Sequence, residues 1–452
     1  MADFSTLRSA VSGPVLTPTD DGFAAETTGF NLFYAHQPEV VVGVSSVDDA
    51  VAAVTFARDN RMPMRMLATG HGSHALITGG MLVTTSRLDE FSIDADTGIA
   101  TIGAGVRWGA VVAAAAELDL APITGSSVNV GVVGYLLGGG LGPIARSHGF
   151  SSDYVRGVTV VLASGEVVHA NGSENTDLFW GLRGGKGGFG LVTSVELQLV
   201  SIPSLYAGAF VFPEESIETV LRGWIDWTAT ADADVTTSIA IIHFPPVEQV
   251  PEIFRGKTLA MLRFAYPGTP ERGEELAVPL RALAPAMIDG VAPLPLANVA
   301  TIHNDPTDPS PAYSRGALLS PIDQEFATAL LQSVGSGAQT PVMVTELRHL
   351  GGATRNDVPE GSSTGGRASA YTLSLVGAPN PALFETVLPG ATDALVGSLA
   401  PWISPETNIN FAGSPSAADF PKAWPAETFA RLAAIRATVD PHGIFAYGPQ
   451  EA

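Results

Sequence analysis

Three clusters of glycine lie in the first 190 residues of this chain, and they constrain its fold more than any other feature. The first, Gly70-His71-Gly72, closes the apolar run 62–67. The second spans 125–142, with Gly138, Gly139, Gly140 and Gly142 close together, and the third spans 184–190. Glycine lets the backbone turn tightly and bring its N–H groups against a ligand. A single cluster of this kind is an ordinary tight turn. Three in succession fit better with backbone amides wrapped around a pyrophosphate and a flat ring. A histidine at the apex of such a turn, as His71 is, points its imidazole wherever the turn aims it.

Two of the clusters match a dinucleotide fingerprint by letter. Gly70-His-Gly72-Ser-His-Ala75 reads G-x-G-x-x-A, and Gly185-Lys-Gly187-Gly-Phe-Gly190 reads G-x-G-x-x-G. A Rossmann fingerprint sits between a strand and a helix whose N-terminus takes the pyrophosphate. Ala75 is followed by Leu-Ile-Thr-Gly-Gly, too short for a long helix, and Gly190 by a strand over 191–200. Both contexts exclude Rossmann binding. Lys186 lacks the glycine and hydroxyl neighbours of a Walker lysine.

A chain of 452 residues, 46% apolar and 15% charged, is globular and long enough for two or three domains. Carboxylates outnumber basic residues 45 to 23, a net charge of −22 that repels nucleic acid and anionic membranes. There is no cysteine, which excludes disulfides, thiol nucleophiles and cysteine-held metal centres. Residues 1–14 lack a cationic stretch followed by a long apolar core, and no run of about 18 apolar residues occurs. The expectation is a cytoplasmic protein, monomer or homodimer.

Taken in order, residues 1–38 read as a short helix and a loop-rich lead-in. Strands are predicted at 40–44 and 62–68, with a helix over 47–60 opened by a capping box from Ser46 to Asp49. A small sheet (81–86, 91–94, 99–103) and an alanine-rich helix (108–118) complete a first lobe. A hairpin at 158–162 and 167–169, a helix at 177–183 and the strand 191–200 form a second. After Pro203 the glycine clusters stop. Strands at 205–212, 235–244, 258–265, 342–350 and 370–376 alternate with helices at 214–228, 270–283 and 381–399, and a last helix spans 426–439. The loop 356–366, rich in Gly, Ser and Thr, is the mobile candidate. The fold class is α+β, with domains at 1–202 and 203–405 and a returning segment at 406–452.

The order of the clusters resembles the FAD-linked oxidases of the vanillyl-alcohol oxidase type, and more narrowly their berberine-bridge-enzyme-like branch. Leu67-Ala-Thr-Gly-His71 stands where that family has Arg-Ser-Gly-Gly-His; the arginine is missing. Phe-Trp-Gly-Leu-Arg-Gly-Gly and Phe-Gly-Leu-Val-Thr, within 178–193, match the third cluster. The resemblance implies a two-lobed PCMH-type FAD-binding domain and a substrate domain whose antiparallel sheet covers the flavin. It implies FAD held covalently through the 8α carbon by His71, with Thr69, Gly70, Gly72 and Ser73 beside it and His74 as the rival anchor. His71 is favoured because it occupies the glycine-flanked apex. From the middle cluster it implies Gly125, Ser126, Asn129, Val130, Gly131, Gly134, Tyr135, Gly138, Gly139, Gly140 and Leu141, with His148 at the flavin edge. Gly188, Gly190 and Val192 come from the third cluster, and Asn410 from the C-terminal Tyr-x-Asn-Phe, whose tyrosine is Asn408 here. Ser127 stands where some members carry a second, cysteinyl bond, so attachment here is through one residue. Val133 replaces a family glycine near the face that governs oxygen access.

The expected chemistry is hydride transfer from an alcohol or amine carbon of a small molecule to flavin N5, with reoxidation by O2 to H2O2. The alternatives are an oxygenating or cyclising enzyme, a dehydrogenase with another acceptor, and a non-catalytic flavin-holding protein. The strand Thr345-Glu-Leu-Arg-His-Leu places Glu346 and Arg348 on one face and His349 on the other. Glu346 is the candidate base, desolvated by the flavin, or the partner of an Arg348 ion pair. Tyr371, on the next strand, is a candidate phenol or a core residue. His303, Asp305 and Asp308 read as a turn set by Pro306 and Pro309 rather than as metal ligands. No metal is expected.

Overall fold

A computed structural model describes residues 3–73, 75–413, 416 and 418–448. Its strands form three sheets. Val15–Leu16 (β1), Val40–Gly43 (β2), Met64–Leu67 (β3) and Met81–Thr84 (β4) are ordered β1-β2-β4-β3. The last three are parallel, and β1 is antiparallel to β2. Strand β2 is apolar and wholly buried, as an interior parallel strand must be. The helix Val47–Asp59 covers this sheet. Its start departs from the predicted capping box. Ser46 Oγ does accept the Asp49 N–H at 3.0 Å. The Asp49 carboxylate, however, takes the N–H groups of Ser12, Gly13 and Ser45, pinning the lead-in segment to the helix.

Phe91–Asp94 (β5), Ile99–Gly103 (β6), Val155–Val161 (β7), Val167–Asn171 (β8) and Leu191–Gln198 (β9) form an antiparallel sheet ordered β5-β6-β9-β7-β8. Residues 444–446 return beside β3, where Met64 N donates to Ile444 O at 2.6 Å and Ala446 N to Met64 O at 2.9 Å.

The third sheet is antiparallel and eight-stranded. It comprises Tyr206–Phe212 (β10), Thr236–His243 (β11), Thr258–Tyr266 (β12), Ile288–Asp289 (β13), Ala292–Pro293 (β14), Ser314–Leu319 (β15), Val342–His349 (β16) and Tyr371–Gly377 (β17). The order is β13-β10-β12-β11-β16-β17-β15, with β14 also on β10. Alternation along each strand divides its side chains between two faces. Leu262, Phe264, Ile239, Ile241, Leu347 and Leu373 join Trp224, Phe326 and Leu330 from the covering helices in one core. The opposite face carries Arg263, Ser238, Glu346 and Arg348, and register sets Ser238 opposite both Arg263 and Arg348. One side of the sheet is therefore a helix-packed core and the other a charged surface turned toward the glycine-rich half.

Strand β15 and the helix Gln324–Val334 are absent from the sequence reading. Ser-Arg-Gly-Ala-Leu-Leu has no β-branched residue, and its flanks are crowded with proline, so no strand period shows. A local signal existed for the helix: Asp323 Oδ1 accepts the N–H groups of Glu325 and Phe326. The loop 356–366 is pinned rather than loose. Ser363 N donates to Arg183 O at 3.0 Å, Arg183 Nη2 donates to Gly361 O at 2.6 Å, and Ser363 is buried.

Candidate functional site

The first glycine turn is built against the lead-in segment. Gly70 has φ +75°, and a Cβ there would lie 2.6 Å from Gly29 Cα, so only glycine fits. Phe30 N donates to Thr69 O at 2.8 Å, which sets the Phe30 ring on the His71 imidazole at 3.8 Å between centroids. Thr69 Oγ1 contacts His71 Nδ1 at 2.9 Å and accepts the Gly131 N–H at 3.3 Å, joining the first cluster to the second. The third joins through Leu137 O, which accepts the N–H groups of Gly184 and Lys186.

These turns enclose a cavity of about 410 Å³. Its walls include Thr69, Gly70, His71, Gly72 and Ser73, then Val130, Gly131, Gly134 and Tyr135, then Gly188, Gly190 and Val192, and Asn410. The structure thus brings these expected residues together. Several others are not on the wall but shape it. Ser126 Oγ donates to Asp305 at 2.6 Å and Asn129 Nδ2 to Thr307 O at 2.9 Å, clamping the loop after His303. Gly138 admits the Asn410 side chain: a Cβ would sit 2.1 Å from Asn410 Oδ1. Gly139 and Gly140 give their carbonyls to Ser152 and Ser151, while Gly125 packs on the Tyr135 ring. Leu141 is buried with Phe150 and Leu350, and His148 bonds Ser147 Oγ. His74 lies outside the described residues. Sequence reasoning missed Lys186, Arg65, Phe411 and Tyr447 as wall residues. Lys186 stands inside a glycine cluster, where its one sequence signal is that of a nucleotide-motif lysine.

The cavity fits FAD. Burial first, then the Arg107 charge, bring the His71 pKa down to about 4 against the pull of Asp305, so the ring is neutral at pH 7. His71 Nε2 is buried with no hydrogen-bond partner among the described residues. A Cβ on Gly134 would meet no protein atom within 4 Å and would enter the cavity. The chain has no cysteine, so no thioether to the flavin can form.

Behind the cavity wall the charged face of the large sheet converges on Glu346. Its Oε1 accepts from Arg263 Nη1 at 2.8 Å and Ser238 Oγ at 3.0 Å, and its Oε2 from Arg348 Nε at 2.9 Å. His303 Nε2 lies 3.6 Å from Oε1. Burial would raise the Glu346 carboxyl, but Arg348, Arg263 and His303 together hold it well below the usual carboxylate range. The Arg348 guanidinium carbon sits 5.1 Å from the centroid of Phe411, a wall residue. Tyr135, its phenol pushed up to about 12 by burial and eased back by Arg348, is on the same wall.

Tyr371 and His349 are not brought to this cavity. The Tyr371 hydroxyl bonds Thr228 Oγ1 at 2.6 Å on the helix-packed face, because alternation from β16 register puts it there. His349 stacks on Tyr371, with Nε2 at 3.1 Å from Arg146. Asp305 is engaged by Ser126, and no group of three metal-binding side chains occurs among the described residues. Burial, then Arg146 and Arg355, bring the His349 pKa down to about 3. The unfolded chain binds a proton there below pH 6.5 and the folded chain does not, so acid removes stability at about 1.4 kcal/mol per pH unit from that group. His349→Gln is expected to flatten the decline of Tm between pH 6.5 and 4.5, read by thermal melts. An unchanged slope contradicts the assignment.

An FAD-binding domain family model matches residues 38–171. The (R)-6-hydroxynicotine oxidase of Paenarthrobacter nicotinovorans is 32% identical over 204 residues, 45% of this chain and 44% of that protein. The chain thus aligns in sequence with less than half the length of that relative. Among solved structures, the BBE-like 1 protein of Physcomitrella patens superposes with a TM-score of 0.86 at 18% identity, covering 99% of this chain and 98% of that one. Glucooligosaccharide oxidase from Acremonium strictum, described with a 6-S-cysteinyl, 8α-N1-histidyl FAD, gives 0.82 at 21%, covering 97% of each. At these identities the superpositions speak for the fold. The family model and the fold together define an FAD-binding protein. Residues 38–171 thus match an FAD-binding domain, and the chain as a whole has the fold of flavoproteins such as BBE-like 1 and glucooligosaccharide oxidase.

Proposed function

We propose that this chain is an oxidase of a small alcohol or amine, with FAD tethered through His71. FAD, when bound, accepts hydride from the substrate carbon and passes the electrons to dioxygen as hydrogen peroxide. The observation that carries the reading is the pairing of a neutral, buried His71 on one wall with the Glu346–Arg348–Arg263 cluster behind Phe411. The relatives named for nicotine and sugar oxidation support an amine or an alcohol as substrate.

Glu346 is a poor proton acceptor in these surroundings, being ionised and already engaged by three hydrogen-bond donors. We assign the proton instead to His303. Burial, then the Arg348 charge, lower its pKa, so it is neutral at pH 7. It lines one small cleft with Ser238, Arg263 and Arg348. The Glu346 carboxylate, 3.6 Å from Nε2, would stabilise the imidazolium that forms.

Anaerobic mixing with a panel of secondary alcohols, sugars and amines is expected to bleach the flavin with at least one of them. Readmitting air is expected to give one peroxide per substrate oxidised. Dye reduction without peroxide indicates a dehydrogenase, and no bleaching by any compound indicates a flavin-holding protein. His303→Gln is expected to slow anaerobic reduction about 100-fold or more while leaving flavin content unchanged. An unaltered rate returns the proton to Glu346.

A further inference from the structure

Lys186 is one of three lysines in a chain of net charge −22, and it is set inside the third glycine cluster at φ +69°. A left-handed backbone at a residue with a long side chain costs energy that the surroundings must supply. Its Nζ donates to two neutral oxygens, Gly134 O and Asn410 Oδ1, each at 2.8 Å. Among the described residues no carboxylate lies within 4.0 Å of it. A desolvated ammonium without a counter-ion is expensive in a protein interior. Burial lowers its pKa to about 8, which still leaves it mostly protonated at pH 7.

Position narrows what would complete it. Nζ lies 3.9 Å from where a Cβ on Gly72 would be, so it stands across from the first glycine turn. That turn and Lys186 both face the cavity. Position 67, where the resembled family carries the arginine of its Arg-Ser-Gly-Gly-His turn, is a buried leucine, so this turn brings no cation of its own there. The other cationic side chain on the cavity wall among the described residues, Arg65, is committed by Nη1 to Gly448 O at 3.0 Å and acts on His36.

We propose that Lys186 is the cation that binds the diphosphate of FAD, a charge supplied by the third glycine cluster across from the first. The proposal rests on the reading that the cavity holds FAD. With Nζ held by Gly134 and Asn410, its third proton and its charge are directed to the phosphate oxygens between the turns.

The test compares FAD with riboflavin, which has the ring and ribityl chain but no phosphate. In the His71→Ala chain, where binding is reversible, fluorescence titration gives a dissociation constant for each. Adding Lys186→Met is expected to weaken FAD about tenfold or more and leave riboflavin unchanged, with Lys186→Arg restoring most of the difference. Equal weakening of both flavins places the charge at the ring and overturns the proposal. So does no change, or loss of the FAD preference in Arg65→Met instead. Flavin loading of otherwise unaltered chains, read by intact mass, decides the matter if His71→Ala binds neither compound. Full loading of Lys186→Met then overturns the proposal, and reduced loading restored by arginine supports it. Absence of flavin from the unaltered chain overturns the FAD reading itself and this proposal with it.

Discussion

Replacing His71 by alanine is expected to leave a folded protein whose flavin is released on acid precipitation, whereas the unaltered chain keeps its yellow colour and fluorescence in the pellet. On the proposed reading the imidazole is prepared for that bond. It is neutral because burial and Arg107 bring its pKa to about 4, its Nε2 has no competing partner among the described residues, and Phe30 and Thr69 fix the ring. Truncation removes those contacts without disturbing the backbone turn, which depends on Gly70 and Gly29. A histidyl substituent withdraws electrons from the ring, so the freed flavin is expected to have a lower midpoint potential and a slower reductive step. Retention of flavin by the variant moves the anchor to His74.

Glu346→Leu is expected to be the most destabilising single change in the sheet face. It strands two guanidinium groups, Arg263 and Arg348, whose side chains are only 9% and 13% exposed. Removing one member of a buried charge cluster costs about 3–5 kcal/mol, because the remaining charges lose their counter-ion while still desolvated. Urea unfolding should show that loss as a lower midpoint, together with collapse of flavin reduction as His303 loses its carboxylate. Glu346→Gln keeps an acceptor at the Arg263 and Ser238 contacts and is expected to fall between. A leucine variant as stable as the parent means the cluster is solvated and not the buried device described here.

What the residues alone revealed follows the reach of each signal. Glycine turns, the Ser46 cap and the apolar run at β2 are local, and they located the cavity wall from 69 to 73. The grouping of 81–86 with 91–94 and 99–103 in one small sheet is overturned, because 81–84 pairs in parallel with β2 and β3 while 99–103 pairs with the distant β9. Alternation along 345–350 assigned Glu346 and Arg348 to a common face, yet it carried no information on which face meets the cofactor. That depends on the helices Ile217–Thr228 and Gln324–Val334 covering the other side, and the latter, whose apolar residues 326, 327, 330 and 334 do keep a helical spacing, is missing from the sequence reading. Tyr371 was weighed for the cavity for the same reason. Lys186 and His303 acquire meaning only through partners far along the chain: Asn410 for one, Glu346 for the other.

The central claim, a single flavin tethered at the apex of the first turn, is tested most directly by peptide mapping of the purified protein. A proteolytic digest analysed by mass spectrometry is predicted to yield the peptide spanning Thr69 to Ser73 heavier by one FAD less two hydrogens, with fragmentation placing the addition on His71. A colourless protein whose His71 peptide has its unmodified mass, and which takes up no FAD when supplied, contradicts the account.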